Sequence, residues 1–165
     1  MKKSLLSRLK NIKMLATDVD GVLTDSGMYY SEHGDEMKKF NTRDGMGLVL
    51  LRNAGYKIAI VTSEDTKIVE RRAAKLKITD LAQGVRDKVS AVEMLMKRHS
   101  LTWDEVAFIG DDVNDLEVMK RVGFAATPAD GTDQNKKIAH FVAKKNGGGG
   151  CVREICDMLL SAGKT

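Results

Sequence analysis

A chain of 165 residues is the length of one domain and is long enough to bury a sizeable core. With 42% hydrophobic and 30% charged residues it has the balance of a soluble globular protein, and no stretch approaches the ~20 apolar residues of a membrane span. The net charge of +4 is scattered rather than blocked and aromatic residues make up only 5%, which argues against a nucleic-acid surface with a basic stripe or stacking platform.

In chain order, Lys13–Thr17 reads as a first strand. Residues Gly27–Lys39 read as a hairpin: Met28-Tyr29-Tyr30, a turn at Glu32-His33-Gly34-Asp35, then Glu36 to Phe40. Asp44–Ala54 carries apolar residues at Met46, Leu48, Val49, Leu50 and Leu51 and stops at Gly55, the pattern of a glycine-capped helix. Tyr56–Val61 is a buried strand, and Thr66–Leu76 a helix with Lys75 and Lys77 near its C-terminal dipole. Leu81–Gly84 is a short strand before the helix Lys88–His99, whose Met94 and Met96 are assigned to core gaps. Val106–Ile109 is a strand, Asp115–Val122 a helix closed by Gly123, and Phe124–Ala126 a last short strand. Ile138–Val142 fits either state; Asn146–Gly150 is a glycine loop leading into the helix Val152–Ser161. Strands alternating with helices of these lengths imply an α/β fold, a parallel sheet covered on both faces.

Arg8, Lys10 and Lys13 interrupt the start of the chain before an apolar signal core could form. Cys151 and Cys156 are too few for a disulfide framework and lack the further ligands of a zinc site. Free thiols and a cytoplasmic location are expected. The three histidines, His33, His99 and His140, are separated along the chain and are read as surface or packing residues.

The most informative feature is a pair of aspartates at the end of the first strand, in A-T-D-V-D-G-V-L-T (16–24). A D-x-D-G can be a surface turn, since Asp and Gly are ordinary turn residues. At the carboxyl end of a buried parallel strand, however, two carboxylates face the crevice where open α/β sheets bind ligands. A hard divalent cation such as Mg²⁺ favours that arrangement because it takes carboxylate oxygens and neutralises their repulsion. The other strand and helix ends add Thr62-Ser63, then Asp87-Lys88, then Asp111-Asp112 with Asn114 and Asp115. Carboxylates, hydroxyls and one lysine, with no histidine or cysteine, suit phosphoryl chemistry with Mg²⁺ rather than hydride or acyl transfer.

The order D-V-D-G-V-L-T, V-T-S, D-K, G-D-D-V-N-D resembles the four motifs of the haloacid dehalogenase superfamily. Three further segments, F-N-T-R-D-G-M-G (40–47), V-G-F-A-A-T-P-A-D (122–130) and G-G-G-G-C-V-R-E-I-C (147–156), narrow the resemblance. They are similar to the small, lid-less phosphatases of 3-deoxy-D-manno-octulosonate 8-phosphate and of nine-carbon nonulosonate 9-phosphates. The resemblance covers roughly residues 11–160. It implies one three-layer, Rossmann-like domain over 1–165, with a protruding β-hairpin, no cap domain and a flexible glycine-rich tail from about residue 146.

Residue by residue, the resemblance makes Asp18 the nucleophile of an aspartyl-phosphate mechanism and Asp20 the general acid and then base. Mg²⁺ would sit on the Asp18 carboxylate, the Asp20 carbonyl and Asp111, with Asp112 and Asp115 supporting or supplementing these ligands. Lys88 would neutralise the phosphoryl oxygens, and Thr62, Ser63 and Asn114 would bind phosphate or substrate. Arg43 is a candidate for the substrate carboxylate and Arg72 for its sugar or phosphate end. Glu64 stands where octulosonate phosphatases usually carry Arg; with Lys75 it is closer to the nonulosonate pattern, so both sugar acids stay open. A broad small-molecule phosphatase and a catalytically idle assembly domain are the other readings. The resemblance also implies a homotetramer joined through the hairpins, with a neighbour's C-terminal tail, for which Gly147–Gly150 would suit, closing the crevice. The implied products would feed lipopolysaccharide or sialic acid synthesis.

Overall fold

The computed structural model describes residues 4–34 and 36–163. Its centre is a six-stranded parallel sheet of β1 (Met14–Thr17), β4 (Lys57–Val61), β5 (Asp80–Ala82), β6 (Val106–Ile109), β7 (Phe124–Thr127) and β8 (Phe141–Val142). The strands lie in the order β5-β4-β1-β6-β7-β8. In sheet-strand succession that is 3-2-1-4-5-6, the doubly wound order whose direction reverses between β1 and β6. The register sets Thr17 beside both Ile60 and Ile109, so the ends of three strands finish level with one another.

Alternation along each strand divides the core in two. Leu15, Ile58, Ile60, Ala107, Ile109 and Phe124 face one layer, made by α1 (Leu5–Asn11), α2 (Thr42–Asn53), α3 (Lys67–Lys75) and α7 (Cys151–Gly163). Met14, Ala16, Ala59, Val61, Val106 and Phe108 face the other, where α4 (Lys88–His99) and α5 (Leu116–Met119) supply Val92, Leu95, Val118 and Met119. The strands are apolar on both faces because both faces are covered, which is why they read as continuous hydrophobic runs.

The antiparallel hairpin of β2 (Tyr29–Tyr30) and β3 (Glu36–Met37) stands outside the sheet, tied at its base by a bridge between Thr24 and Phe40. The expected turn at 32–35 extends to Asp35, which lies outside the described residues. Between β1 and β4 the chain holds only this hairpin and α2, and no cap domain appears among the described residues. Nor is any helix there long and apolar enough to cross a membrane.

Four expectations change. Leu5–Asn11 is a helix, its N-terminus capped by the Ser4 hydroxyl; with seven residues it is too short for periodicity to reveal. The ambiguous stretch is split: Ile138 ends α6 (Asp133–Ile138), capped by Thr132, and Phe141–Val142 forms the sheet edge. Met96 is buried but Met94 is 65% exposed, since residues two apart on a helix point to different sides. His99 is a packing residue: its Nε2 lies 2.6 Å from Asp80, tying the end of α4 to β5.

The fourth change concerns the glycines. Residues 147–150 form no free tail, but pack against the loop after β1 of their own chain. Gly148 N–H donates to the Val22 carbonyl (2.9 Å), the Asn41 amide donates to the Gly148 carbonyl (3.1 Å), and Gly147 N–H donates to Asp130 (2.9 Å). Asp44, buried at the start of α2, accepts from the Gly150 and Arg153 amides at the N-terminus of α7, where a negative charge is favoured. A Cβ on Gly147 would lie 1.9 Å from the Gly21 carbonyl oxygen, so only glycine fits under that loop. Gly147→Ala is therefore expected to cost roughly 1–3 kcal/mol, the usual penalty of overpacking, read as a lower urea midpoint at unchanged slope.

Candidate active site

At the carboxyl end of β1, Asp18 N–H donates to the Ile109 carbonyl (3.0 Å), which locks the residue beside the end of β6. Its Oδ1 accepts from Val19 N–H (2.7 Å), and its Oδ2 lies 2.7 Å from the Lys88 ammonium. Lys88 opens α4, is only 3% exposed, and is also 2.7 Å from Asp115 Oδ1. Asp115 Oδ2 in turn accepts from the Asp111 and Asp112 amides, at 2.9 and 3.4 Å. Both oxygens of Asp115 are thus used inside the protein. It holds Lys88 and the Asp111 loop in place.

Among the described residues two carboxylate oxygens are enclosed yet have no partner, Asp111 Oδ1 and Asp20 Oδ2. Burying an unpaired carboxylate oxygen is costly, so each points to something the site is built to hold. Asp18, Asp111 and Asp115 can bring one oxygen apiece to within 4.8 Å of one another. Three carboxylates against the single Lys88 ammonium leave two excess negative charges, the deficit a divalent cation fills. An all-oxygen donor set is what Mg²⁺ takes. The residues present therefore fit a magnesium ion held by Asp18 and Asp111. Gly21 gives the same sign: its φ is +80° and a Cβ there would fall 1.9 Å from Asp111 Oδ2.

The charge crowding appears in the acidities. Burial, then the neighbouring Asp115, push the Asp18 carboxyl up to about 7, although Lys88 opposes them. Burial followed by Asp18, Asp115 and Asp112 pushes Asp111 up to about 8. Burial works against the Lys88 ammonium, but Asp18 and Asp115 outweigh it and hold its pKa above the ordinary lysine value.

A cavity of about 300 Å³ opens over these groups, lined by Asp18, Asp20, Thr62, Glu64, Asp111 and Asn114, with Ser26 and Met28 from the approach to the hairpin. Thr62, at the end of β4, is buried; its Oγ1 accepts from Glu64 N–H (3.3 Å), leaving its own hydrogen to donate into the cavity. The Asn114 amide donates to Ser63 Oγ (3.3 Å), linking the loops after β4 and β6. Asp112 is exposed and accepts from Val113 N–H, capping the turn at Val113–Asp115. A larger cavity of about 430 Å³ near Ile12, Tyr56 and His99 has no carboxylate in its lining.

Three expected substrate residues lie elsewhere. Arg43 is exposed in the first turn of α2 and Lys75 is exposed in the last turn of α3, and neither lines the cavity. Arg72 donates to the Asn41 carbonyl (3.0 Å) and lies 5.2 Å from the centre of the Phe40 ring, where it braces the start of α2. Sequence reasoning missed Ser26, Met28 and Lys38, which donates to Asp20 Oδ1 at 2.8 Å. Their only signal is position in the hairpin segment that follows the D-x-D motif.

Comparison with known proteins agrees with this geometry. Residues 74–155 match the haloacid dehalogenase-like hydrolases. The 3-deoxy-D-manno-octulosonate 8-phosphate phosphatase of Escherichia coli K12 is 39% identical over 158 residues, 96% of this chain and 84% of that protein. The Yersinia pestis structure of a phosphatase so named superposes with a TM-score of 0.95 at 40% identity, covering 97% of this chain and 86% of that one. A Moraxella catarrhalis structure of that name, in complex with magnesium, phosphate and KDO, gives 0.94 at 36% identity, covering 96% and 91%. The chain belongs to the haloacid dehalogenase-like hydrolases. Within them it is a phosphoric monoester hydrolase.

The raised carboxyls make stability depend on pH in a definite direction. Asp18 and Asp111 keep protons in the folded state up to about 7 and about 8, whereas unfolded carboxyls release theirs near 4. Between those values the native state binds more protons at these two groups, so their contribution to metal-free stability is full below about pH 4 and is lost as pH rises to about 8. The metal-free Tm is expected to fall from about pH 5 to about pH 8, and Mg²⁺ to raise Tm more at the higher pH. Asp111→Asn should flatten both trends in a thermal-melt series.

Proposed function

We propose that this enzyme hydrolyses the terminal phosphate of 3-deoxy-D-manno-octulosonate 8-phosphate through a covalent phosphoryl-aspartate. The observation that carries the reading is the Asp18–Lys88–Asp115 bridge beside the unpartnered Asp111 and Asp20 oxygens. Asp18, fixed by Val19 N–H and by Lys88, attacks phosphorus, and the bond from phosphorus to the sugar oxygen breaks. Asp20 delivers a proton to that departing oxygen. In the second step Asp20 takes a proton from water as it attacks phosphorus, and the Asp18 oxygen leaves as carboxylate. Lys88 and the Thr62 hydroxyl donate to the phosphoryl oxygens, where charge stabilisation and alignment supply most of the rate. Magnesium, when bound at Asp18 and Asp111, would neutralise the excess charge on nucleophile and phosphate. Its chemistry there is electrostatic.

The Escherichia coli and Yersinia pestis relatives are named as octulosonate 8-phosphate phosphatases, which supports the eight-carbon ester as first choice. One feature favours a second reading: Glu64 lines the cavity, and a carboxylate there discriminates against one placement of an acidic substrate. The nonulosonate 9-phosphates are that alternative. Exposed Met28, Tyr29, Tyr30 and Met37 on the hairpin are the apolar surface expected of a homotetramer contact. Sedimentation of the intact chain should give four copies, and a monomer would remove that part of the reading.

Asp18→Asn should abolish phosphate release from every ester while leaving the fold intact. Turnover that survives the substitution removes the nucleophile assignment. Comparing kcat/KM for the eight- and nine-carbon esters in the native enzyme and in Glu64→Arg tests the substrate. If Glu64 reads the sugar acid, the ratio moves by at least tenfold, about 1.4 kcal/mol of transition-state binding. An unchanged ratio makes Glu64 a solvent-facing residue.

A further inference from the structure

We infer that Lys38, on the outgoing limb of the hairpin, is a positioning residue that aims Asp20 at the leaving oxygen of the substrate. This rests on the reading of Asp20 as the group that moves the proton. The two Asp20 oxygens have different surroundings. Oδ1 is 2.8 Å from the Lys38 ammonium and 3.3 Å from the Thr24 hydroxyl, which donates to it. Oδ2 is enclosed, has no hydrogen-bond partner, and belongs to a side chain that lines the cavity.

An ammonium has donors only. It therefore claims Oδ1 as an acceptor and leaves Oδ2 as the oxygen able to carry a proton to or from a substrate. Two contacts on one oxygen also hold the carboxylate in one orientation. That matters because general acid catalysis requires the acid within hydrogen-bond reach of the reacting atom. Asp18 needs no such help, being gripped by Val19 N–H and Lys88. Asp20, with a side chain 27% exposed, would otherwise be free to turn toward solvent.

Lys38 is well placed for the task. As a residue it is half-buried, and its side chain is withdrawn from solvent. Its ammonium also lies 3.9 Å from the sulfur of Met28, a cavity-lining residue on the opposite limb. The hairpin thus reaches back to the catalytic loop from both limbs. It is an exposed two-stranded ribbon, unstable on its own account, so whatever fixes the hairpin also fixes Lys38.

The test exploits leaving groups. p-Nitrophenolate departs without a proton, whereas the alkoxide of a sugar phosphate requires one. Lys38→Met and Lys38→Gln are measured with both esters, alongside Asp20→Asn and with thermal melts to verify folding. The readout is the first step alone, release of the leaving group in a single turnover with enzyme in excess. There both Lys38 variants are expected to slow octulosonate 8-phosphate at least tenfold and p-nitrophenyl phosphate less than threefold. Asp20→Asn should show the same first-step selectivity more strongly, while its steady-state turnover falls with both esters, which share the attack of water. If Asp20→Asn slows the first step of both esters equally, the reading of Asp20 as the acid for the leaving oxygen fails, and this inference fails with it. If Asp20→Asn is selective but folded Lys38 variants slow the first step of both esters alike, or of neither, Lys38 does not position Asp20 and the inference alone is overturned.

Discussion

The buried bridge Asp18–Lys88–Asp115 is the constraint on which the site depends. One ammonium, 3% exposed, is shared at 2.7 Å between the end of β1 and the turn after β6. Burying such a group against water is unfavourable, and leaving any member unpaired is worse, often by roughly 3–5 kcal/mol. The three residues are therefore locked to one another. Lys88 cannot move without exposing two carboxylates to an apolar surround, and Asp115 cannot move without releasing the Asp111 and Asp112 amides. The enclosed carboxylate oxygens without partners among the described residues belong to this place, as expected where a protein holds a functional site.

The fold supplies the position and the glycines supply the closeness. A doubly wound sheet has its crevice where strand order reverses, here between β1 and β6, and Asp18 and Asp111 come from those two strands. Level strand ends bring Thr62 of β4 alongside. The loop from Val19 to Thr24 then has to fit between Asp111 on one side and residues 147–148 on the other. Gly21 and Gly147 meet there with no room for a Cβ. The last helix therefore acts on the candidate active site: Asp44 fixes the N-terminus of α7, α7 fixes the glycine turn, and the turn supports the loop that follows Asp18.

How much of this the sequence reveals depends on the range of the interaction. Asp18, Thr62, Lys88 and Asp111 sit at strand or helix ends, where a run of apolar residues gives way to polar ones, and that change is a local signal. The helix Lys88–His99 is equally legible, beginning at its Asp87 cap and ending in Lys97, Arg98 and His99. Arg43, Arg72 and Lys75 illustrate the opposite case. An arginine near a motif looks like a substrate group, but only tertiary packing shows Arg72 braced against Phe40 and Asn41. The glycine run misleads for the same reason. Glycines that permit flexibility and glycines that permit contact look alike until the surface they touch is known.

The D-x-D pair is also two unlike environments one residue apart. Residues two apart on extended chain share a side, and both aspartates reach the same cavity just past the point where the strand ends at Thr17, before the chain turns at Gly21. Asp18 is buried against an internal ammonium, and Asp20 is half-exposed against a lysine that comes from the hairpin. Pairs of carboxylates held in different surroundings are how one site separates two chemical roles. Here Asp18 is secured by the core sheet itself, through β6 and α4. Asp20 is secured by the hairpin that stands outside it. Asp18 therefore has the stability of the whole fold, whereas the orientation of Asp20 has only that of the hairpin. With the roles proposed above, anything that orders the hairpin, a neighbouring copy included, would act on proton transfer first and on nucleophilic attack hardly at all.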